Sequence, residues 1–365
     1  MRRVVLVIIL LLAQGACAHS PPAFRPAEVE NGSLKRHGQV WVMQLSGTPE
    51  QRGKAAGALV GEQIRWVLPR YLKATLGSKE VSEQVRGILR QIAAGIPEKH
   101  LEQIKALAGS AGVDPDGLLV ANLAPDLFAA MACSCLAVSG EGSLLFARNL
   151  DWHGGDALSE LGLLVVESGE GLRFASVTWP GLVGVATGIN EKGLAAADLV
   201  VLGRSSRIQP GVPVFFALRK VMETCNSVEE AADLLKRTER TVLQNYMLAD
   251  SKTAAALETG PKRFRRRDLS AGHVAVANHF DPDKNPKGRY KKLIVAAKKG
   301  GLEIADLKKV LKDVALGDMN VQAVVFEPGK LTVHLATRSR PAAKGPFHEL
   351  DLSTYLKGKQ VPDRR

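Results

Sequence analysis

Cys133 and Cys135 flank a single serine, and the run Arg148-Asn149-Leu150-Asp151-Trp152 begins fifteen residues after the first cysteine and thirteen after the second. Gly140-Glu141-Gly142 lies between them and reads as a turn. A strand opening on cysteine, a turn and a second strand ending in RNLDW make a hairpin that brings Arg148 and Asp151 beside Cys133. These side chains suit nucleophilic catalysis. Thiolate is the reactive form of cysteine, and a neighbouring guanidinium lowers the thiol pKa. A carboxylate at Asp151 can hold an ammonium group or orient a base. Arg148 and Asp151 are three residues apart, so on one continuous strand their side chains leave opposite faces. For both to reach Cys133, the second strand must end near Asn149. Plainer readings stand beside this one. Arg148 and Asp151 could form a buried structural ion pair, and Cys133 and Cys135 could be a redox couple. Zinc needs about four ligands at recognisable spacing, and no Cys/His pair nearby supplies them, so no metal and no cofactor are expected.

The elements that must carry this hairpin can be read along the chain. Val40 to Leu45 is a strand, and Thr48-Pro49-Glu50 opens a helix with Thr48 as its cap and Pro49 at its first position. Apolar spacing predicts helices through most of 48–130. From Ala132 onward the texture changes to strands with Gly-rich turns: 133–139, 143–149, 163–167, 174–178, 184–189 and 194–201. Helices return at 214–225 and 228–236. Strands follow at 244–249, 254–258 and 273–277, then helices at 290–299 and 304–314, then a hairpin over 323–336. Paired helices between antiparallel strand sets argue for α+β layers rather than alternating βαβ units.

Composition bounds the class. The 365 residues are 45% apolar and 24% charged, which fits a globular chain and excludes collagen-like, low-complexity and disulfide-dense proteins. The formal net charge is +12, with Lys/Arg crowded at 262–267 and 284–299. Neither cluster is interleaved with stacking aromatics, so an anionic envelope surface is expected as the partner of this charge, and nucleic acid is not.

The first residues read as an address. Arg2-Arg3 precede the apolar run Val4 to Leu12, and Gly15-Ala16-Cys17-Ala18 follows. These are the parts of a secretory signal, and the apolar run falls short of the ~20 residues that span a bilayer. Ala16-Cys17-Ala18 fits ordinary cleavage before His19, whereas Gly15-Ala16-Cys17 resembles a lipobox that would lipidate Cys17. Either way an exported protein is expected, periplasmic or held at the membrane by a lipid. Three cysteines then remain in the mature body, an odd number that hints at a free thiol. Cys225, after an apolar helical stretch, reads as a small buried hydrophobe.

Taken together, the motifs resemble the N-terminal-nucleophile cysteine hydrolases: the choloylglycine hydrolases, the N-acylethanolamine acid amidases and the acyl-CoA:6-aminopenicillanate acyltransferases. Their pattern is a nucleophilic Cys, a Thr or Ser, and RN-[LM]-D about sixteen residues on, which Cys133, Ser134 and Arg148 to Asp151 fit better than Cys135 does. Trp179-Pro180-Gly181 and Gly188 to Leu194 are similar to a further family segment, as is Asn278-His279-Phe280. Arg289 stands where the family carries another active-site arginine. Gly345-Pro346-Phe347, Leu350-Asp351-Leu352 and the Leu45 to Pro49 stretch with Gly53 and Gly57 extend the likeness over about 40–355. The resemblance implies a four-layer αββα sandwich after a mostly helical pro-region. The domain plan is then a signal (1–18), a polar tether (19–37), a helical pro-region (38–132) and the catalytic core (133–355).

The same resemblance implies self-cleavage between Ala132 and Cys133 to give an αβ heterodimer. Cys133 would then act as nucleophile on a small N-acyl amide, with its freed α-amino group as base. Arg148 would sit beside the sulfur, Asp151 on the α-amino group, Asn278 in the oxyanion hole and Arg289 nearby. Trp152, Trp179 and Asn190 are candidate substrate contacts, although the tryptophans also read as core and Asn190 as a turn residue. His279 reads as structural and Asp198 as a polar strand end. The choloylglycine hydrolases carry an Asn ten residues beyond Asn190. Val200 stands there, which argues against bile salts and leaves one oxyanion donor unassigned. A non-catalytic binding module and a thiol-redox protein are the rival readings.

Overall fold

Apolar side chains two apart along one strand go to different places from their neighbours, and this alternation builds the layers. Along 136–147, Ala137, Leu144 and Phe146 join one core cluster, while Leu136, Val138, Leu145 and Ala147 join a second. A strand buried on both faces has to lie inside a stack.

The computed structural model describes residues 20–127, 131–140, 143–152, 154–201, 208–284 and 286–357. The export signal and Cys17 lie outside them. In chain order come β1 (Ala27–Val29), β2 (Gly32–His37), β3 (Val40–Leu45), α1 (Pro49–Leu76), α2 (Glu83–Ala93), α3 (Glu98–Ala111), α4 (Pro115–Asn122) and α5 (Ala124–Leu127). Next are β4 (Met131–Ser139), β5 (Leu144–Trp152), α6 (Asp156–Glu160), β6 (Leu163–Glu167), β7 (Phe174–Thr178), β8 (Thr187–Asn190), β9 (Ala195–Val200), α7 (Val214–Thr224) and α8 (Val228–Arg237). The chain continues with β10 (Gln244–Ala249), β11 (Ala254–Gly260), β12 (Arg263–Asp268), β13 (His273–Val276), α9 (Gly288–Ala297), α10 (Ile304–Val314), β14 (Asn320–Glu327), β15 (Thr332–Ala336), β16 (His348–Asp351) and α11 (Ser353–Leu356).

One sheet runs β1-β2-β3-β6-β7-β8-β9-β10-β11-β12, and the other runs β13-β4-β5-β14-β15-β16. Neighbours are antiparallel except β3 beside β6. The sheets face each other through β4 against β9. Helices α7 and α8 cover the outside of the larger sheet, and α9 and α10 cover the outside of the smaller. This is the expected αββα stack.

The region before Ala132 is mostly helical, as expected. Thr48 and Gln51 form a reciprocal capping box at the start of α1, and Gly77 ends it in the left-handed conformation. Gly53 and Gly57 have a packing reason: a Cβ at either would collide with α3, at the Gln103 carbonyl and at Ser110 respectively. The tether expected over 19–37 is corrected for the described part of that stretch. Residues 27–37 form the hairpin β1–β2, turned at Glu30-Asn31 with Asn31 at φ 62°. The ordering comes from Leu34, fully buried among six mostly polar residues. Strand β3 then pairs on its other side with β6, so the upstream chain supplies three strands of the larger sheet.

The basic run 262–267 also proves to be a strand, β12. Its arginines are spent internally: Arg263 pairs with Glu258 and Asp281, Arg265 with Asp281, Arg266 with Glu229 and Asp268, and Arg267 with Glu258. No helix among the described residues is long and apolar enough to cross a membrane.

Candidate active site

The β4–β5 register sets Cys133 opposite Leu150 and Cys135 opposite Arg148. Both thiols point between the sheets and are fully buried. The Arg148 side chain leans one pair along the hairpin, so that Nη2 donates to Cys133 Sγ at 3.4 Å. A buried guanidinium needs acceptors for its remaining protons, and the larger sheet provides them for both Nη groups, while Nε stays without a partner. Nη2 also donates to the Asp198 carbonyl at 2.9 Å and to Asp198 Oδ1 at 3.2 Å. Nη1 donates to the Ala186 carbonyl at 2.7 Å and to the Thr187 hydroxyl. Arg148 is thus a strut between the sheets that ends on the sulfur.

Burial decides the protonation states here. It pushes the Cys133 thiol up to about 11, with the Arg148 guanidinium pulling the other way. The expected lowering by Arg148 exists but loses to desolvation in the uncut chain. Asp198, fully buried on β9, is raised to about 6 by burial, against the pull of Arg148. Its Oδ2 accepts from Gln244 Nε2 at 2.8 Å.

Asp151 departs from expectation. Strand β5 does not stop near Asn149 but continues through Trp152. Asp151 therefore leaves the face opposite Arg148, toward α9 and α10. Its Oδ2 accepts from Arg289 Nη1 at 2.6 Å, and its Oδ1 accepts from Asn320 Nδ2 at 3.0 Å and the Leu316 amide at 3.3 Å. Burial raises its carboxyl, and Arg289 opposes that. Asp151 reaches Cys133 only through a relay. Arg289 Nη2 donates to Asn278 Oδ1 at 2.6 Å, and the Cys133 backbone N–H donates to the same oxygen at 2.8 Å.

Two donors on one atom fix that atom as the amide oxygen. Asn278 Nδ2 donates one proton to the Val200 carbonyl at 2.6 Å. In the uncut chain the Asn278 oxygen is thus an acceptor for the Cys133 amide, and its second Nδ2 proton is left over for an oxyanion.

Ala132 and Cys133 lie within β4 itself, both buried. Trp152 and Trp179 meet edge to face at 5.1 Å, flanked by Tyr71 and Phe215 with ring centroids 5.9 and 6.4 Å from Trp152. Asn190 is corrected. Its Nδ2 donates to the Met222 and Cys225 carbonyls, and its Oδ1 accepts from the Lys192 and Leu194 amides. All of its polar capacity clamps the Glu191 to Gly193 turn onto the end of α7. His279 packs edge-on against Tyr290. Cys133, Cys135 and Cys225 are unpaired and buried. Among the described residues no cluster of three or more His, Cys, Asp or Glu is placed to hold a metal.

Sequence reasoning passed over Gln244 and Asn320, and read Asp198 only as a polar strand end. A signal existed for Asp198: a single carboxylate in the apolar run of β9 needs a buried cation.

Residues 138–298 match the family described as acyl-coenzyme A:6-aminopenicillanic acid acyl-transferase, which bears out the resemblance read from the motifs. Among curated proteins, Dictyostelium discoideum dcd1B is 25% identical over 268 residues, covering 64% of this chain and 53% of that protein. A protein of Archaeoglobus fulgidus is 23% identical over 345 residues, covering 81% and 56%. The chain thus spans about half the length of these relatives. Similar solved structures include a Caenorhabditis elegans ortholog of N-acylethanolamine-hydrolyzing acid amidase (19% identical, 54% of this chain, 93% of that one, TM-score 0.47). A penicillin V acylase from Agrobacterium tumefaciens is another (17% identical, 60% and 91%, TM-score 0.44).

Proposed function

From a chain whose residues 138–298 match an acyltransferase family, we propose an N-terminal-cysteine amide hydrolase or acyltransferase that activates itself by cutting between Ala132 and Cys133. The observation that carries this reading is the convergence on one residue. Arg148 Nη2 meets the Cys133 sulfur, and the Asp151–Arg289–Asn278 relay meets the Cys133 nitrogen. A chain that used Cys133 only as core would have no need of either.

The chemistry follows from those contacts. Cys133 Sγ attacks the Ala132 carbonyl, the peptide C–N bond breaks, and the acyl group of the upstream chain moves from nitrogen to sulfur. Water hydrolyses that thioester and leaves a free α-amino group, whose ordinary pKa is about 7.7–8.0. This amine inherits the Asn278 oxygen as its acceptor. In turnover it takes the thiol proton as Sγ attacks the carbonyl of an N-acyl substrate, and passes it to the departing amine. Water then releases the acyl group from Cys133, or an acceptor amine takes it. Asp151 holds Arg289, which holds Asn278. Because Cys133 is fully buried in the uncut chain, substrate access needs the cut to open the site. An export signal at 1–18, with or without a lipid on Cys17, would place this activity at the cell envelope.

Intact mass spectrometry of the purified protein tests the reading. Two fragments meeting at Ala132/Cys133 are expected, with one intact chain for Cys133→Ala and retained cleavage for Cys135→Ala. Cleavage that survives Cys133→Ala sinks the assignment. A screen of N-acyl amides on the cut protein then identifies the acyl group and the amine.

A further inference from the structure

The layer formed by α9 and α10 carries more lysines than its acids, Glu303, Asp306 and Asp313, can balance. Lys287, Lys291, Lys292, Lys298, Lys299, Lys309 and Lys312 are all exposed on it or at its ends. Among the described residues, Lys287, Lys291, Lys298, Lys299 and Lys312 have no ion-pair partner, and Lys292 Nζ donates to the backbone carbonyl of Asp313. Glu303 and Asp306 are occupied in the capping box that starts α10, and Asp306 also pairs with Lys309 at 3.6 Å. The contrast with β12 is informative: there the arginines are neutralised by Glu229, Glu258, Asp268 and Asp281.

The same layer exposes apolar surface. Only three large hydrophobic side chains stand exposed among the described residues. Two of them are here, Val295 on α9 at 56% and Leu316 after α10 at 39%. A cavity of about 350 Å³ opens between the helices, with Val295, Ala296, Val310 and Val314 among its walls and Lys292, Lys299 and a single acid, Asp313, beside them. Unpaired lysines around protruding aliphatic side chains match a bilayer interface, where ammonium groups meet anionic headgroups and short apolar side chains enter the acyl boundary. Nucleic acid would use the lysines but has no place for Val295 or Leu316, and no aromatic stacking platform accompanies them.

We propose that the outer face of α9 and α10 docks this protein on an anionic lipid bilayer, independently of any lipid at Cys17. The face backs onto the Asp151–Arg289 pair, on the side of the smaller sheet away from the Cys133 sulfur. Arg289 belongs to the first turn of α9, and the Leu316 amide donates to Asp151.

The test is co-sedimentation of the full chain carrying Cys17→Ser with vesicles of phosphatidylcholine alone or with added phosphatidylglycerol. Binding that needs the anionic lipid and weakens with salt is expected. A lysine near an anionic surface contributes about fivefold to partitioning, so Lys292→Glu/Lys299→Glu lowers it by ~25-fold or more. The pair Lys79→Glu/Lys105→Glu makes the same net change elsewhere and serves as control. Val295→Asp weakens binding even at low salt. Equal binding to neutral vesicles, no binding to either, an equal loss in the control pair, or retention on duplex DNA without vesicle binding overturns the proposal. The vesicle assay needs no turnover, so its outcome is separate from that of the cleavage experiment.

Discussion

Asp198→Asn isolates what the second sheet does to the nucleophile. Asp198 Oδ1 and Cys133 Sγ share one donor, Arg148 Nη2, at 3.2 and 3.4 Å, so the carboxylate lies within about 6.6 Å of the sulfur. At an effective dielectric constant of about 20, two unit charges at that separation repel by about 2.5 kcal/mol. Asparagine removes the charge, keeps the shape and leaves a partner for Gln244. The Cys133 thiol should therefore titrate about 1.8 pH units lower, which at fixed pH below its pKa is ~70-fold more thiolate. The sign is firm. Burial raises the thiol, Asp198 adds to that rise, and Arg148 released from Asp198 can only favour thiolate further. The assay is a pH titration of thiolate ultraviolet absorbance with Cys17, Cys135 and Cys225 replaced by alanine in both proteins. A curve that stays put or moves upward would falsify the claim that the Asp198 charge is felt at the sulfur.

Two further expectations concern how the upstream chain is held. Asn122 donates to the Leu118 and Gly181 carbonyls and accepts from the Val183 and Gly184 amides, all buried. Asn122→Ala strands several buried polar groups and should cost about 3 kcal/mol, read as a lower urea midpoint with unchanged slope. Asp126 accepts from the Val214 amide at the start of α7 and from the Thr241 hydroxyl, and burial raises its carboxyl from 3.8 to about 7. The native state thus holds a proton there between about pH 4 and 7 that the unfolded chain has lost, so stability falls as pH rises through that window. Asp126→Asn should flatten this fall, measured as urea midpoints at pH 5 and pH 8; an unchanged slope against pH would exclude Asp126 as its source.

The local part of the site was legible because it is local. A cysteine, a glycine turn and an RNLDW run within twenty residues specify a hairpin, and the register follows from that turn. What sequence could not supply was the length of β5. Three more residues of pairing, sustained by Trp152 packing on Trp179, turn Asp151 to the other face and give it a partner 138 residues away. The contacts of Asn278 were equally out of reach, since its oxygen takes donors from Arg289 and from Cys133, 145 residues away in the chain. Strands β1, β2 and β12 were missed because polar and basic runs lack apolar alternation. They are strands because Leu34 finds a core and because β11 presents Glu258 to the arginines.

The placement of β3 between β2 and β6 has a thermodynamic consequence for a chain cut after Ala132. The larger sheet would then be spliced from two polypeptides, with no covalent link to restore its ends once they part. Unfolding would remain a unimolecular event, whereas reassembly would require two fragments to meet. The midpoint of melting would rise with protein concentration after the cut and be indifferent to it before. Dilution would thereby become a route to inactivation that the uncut chain does not have.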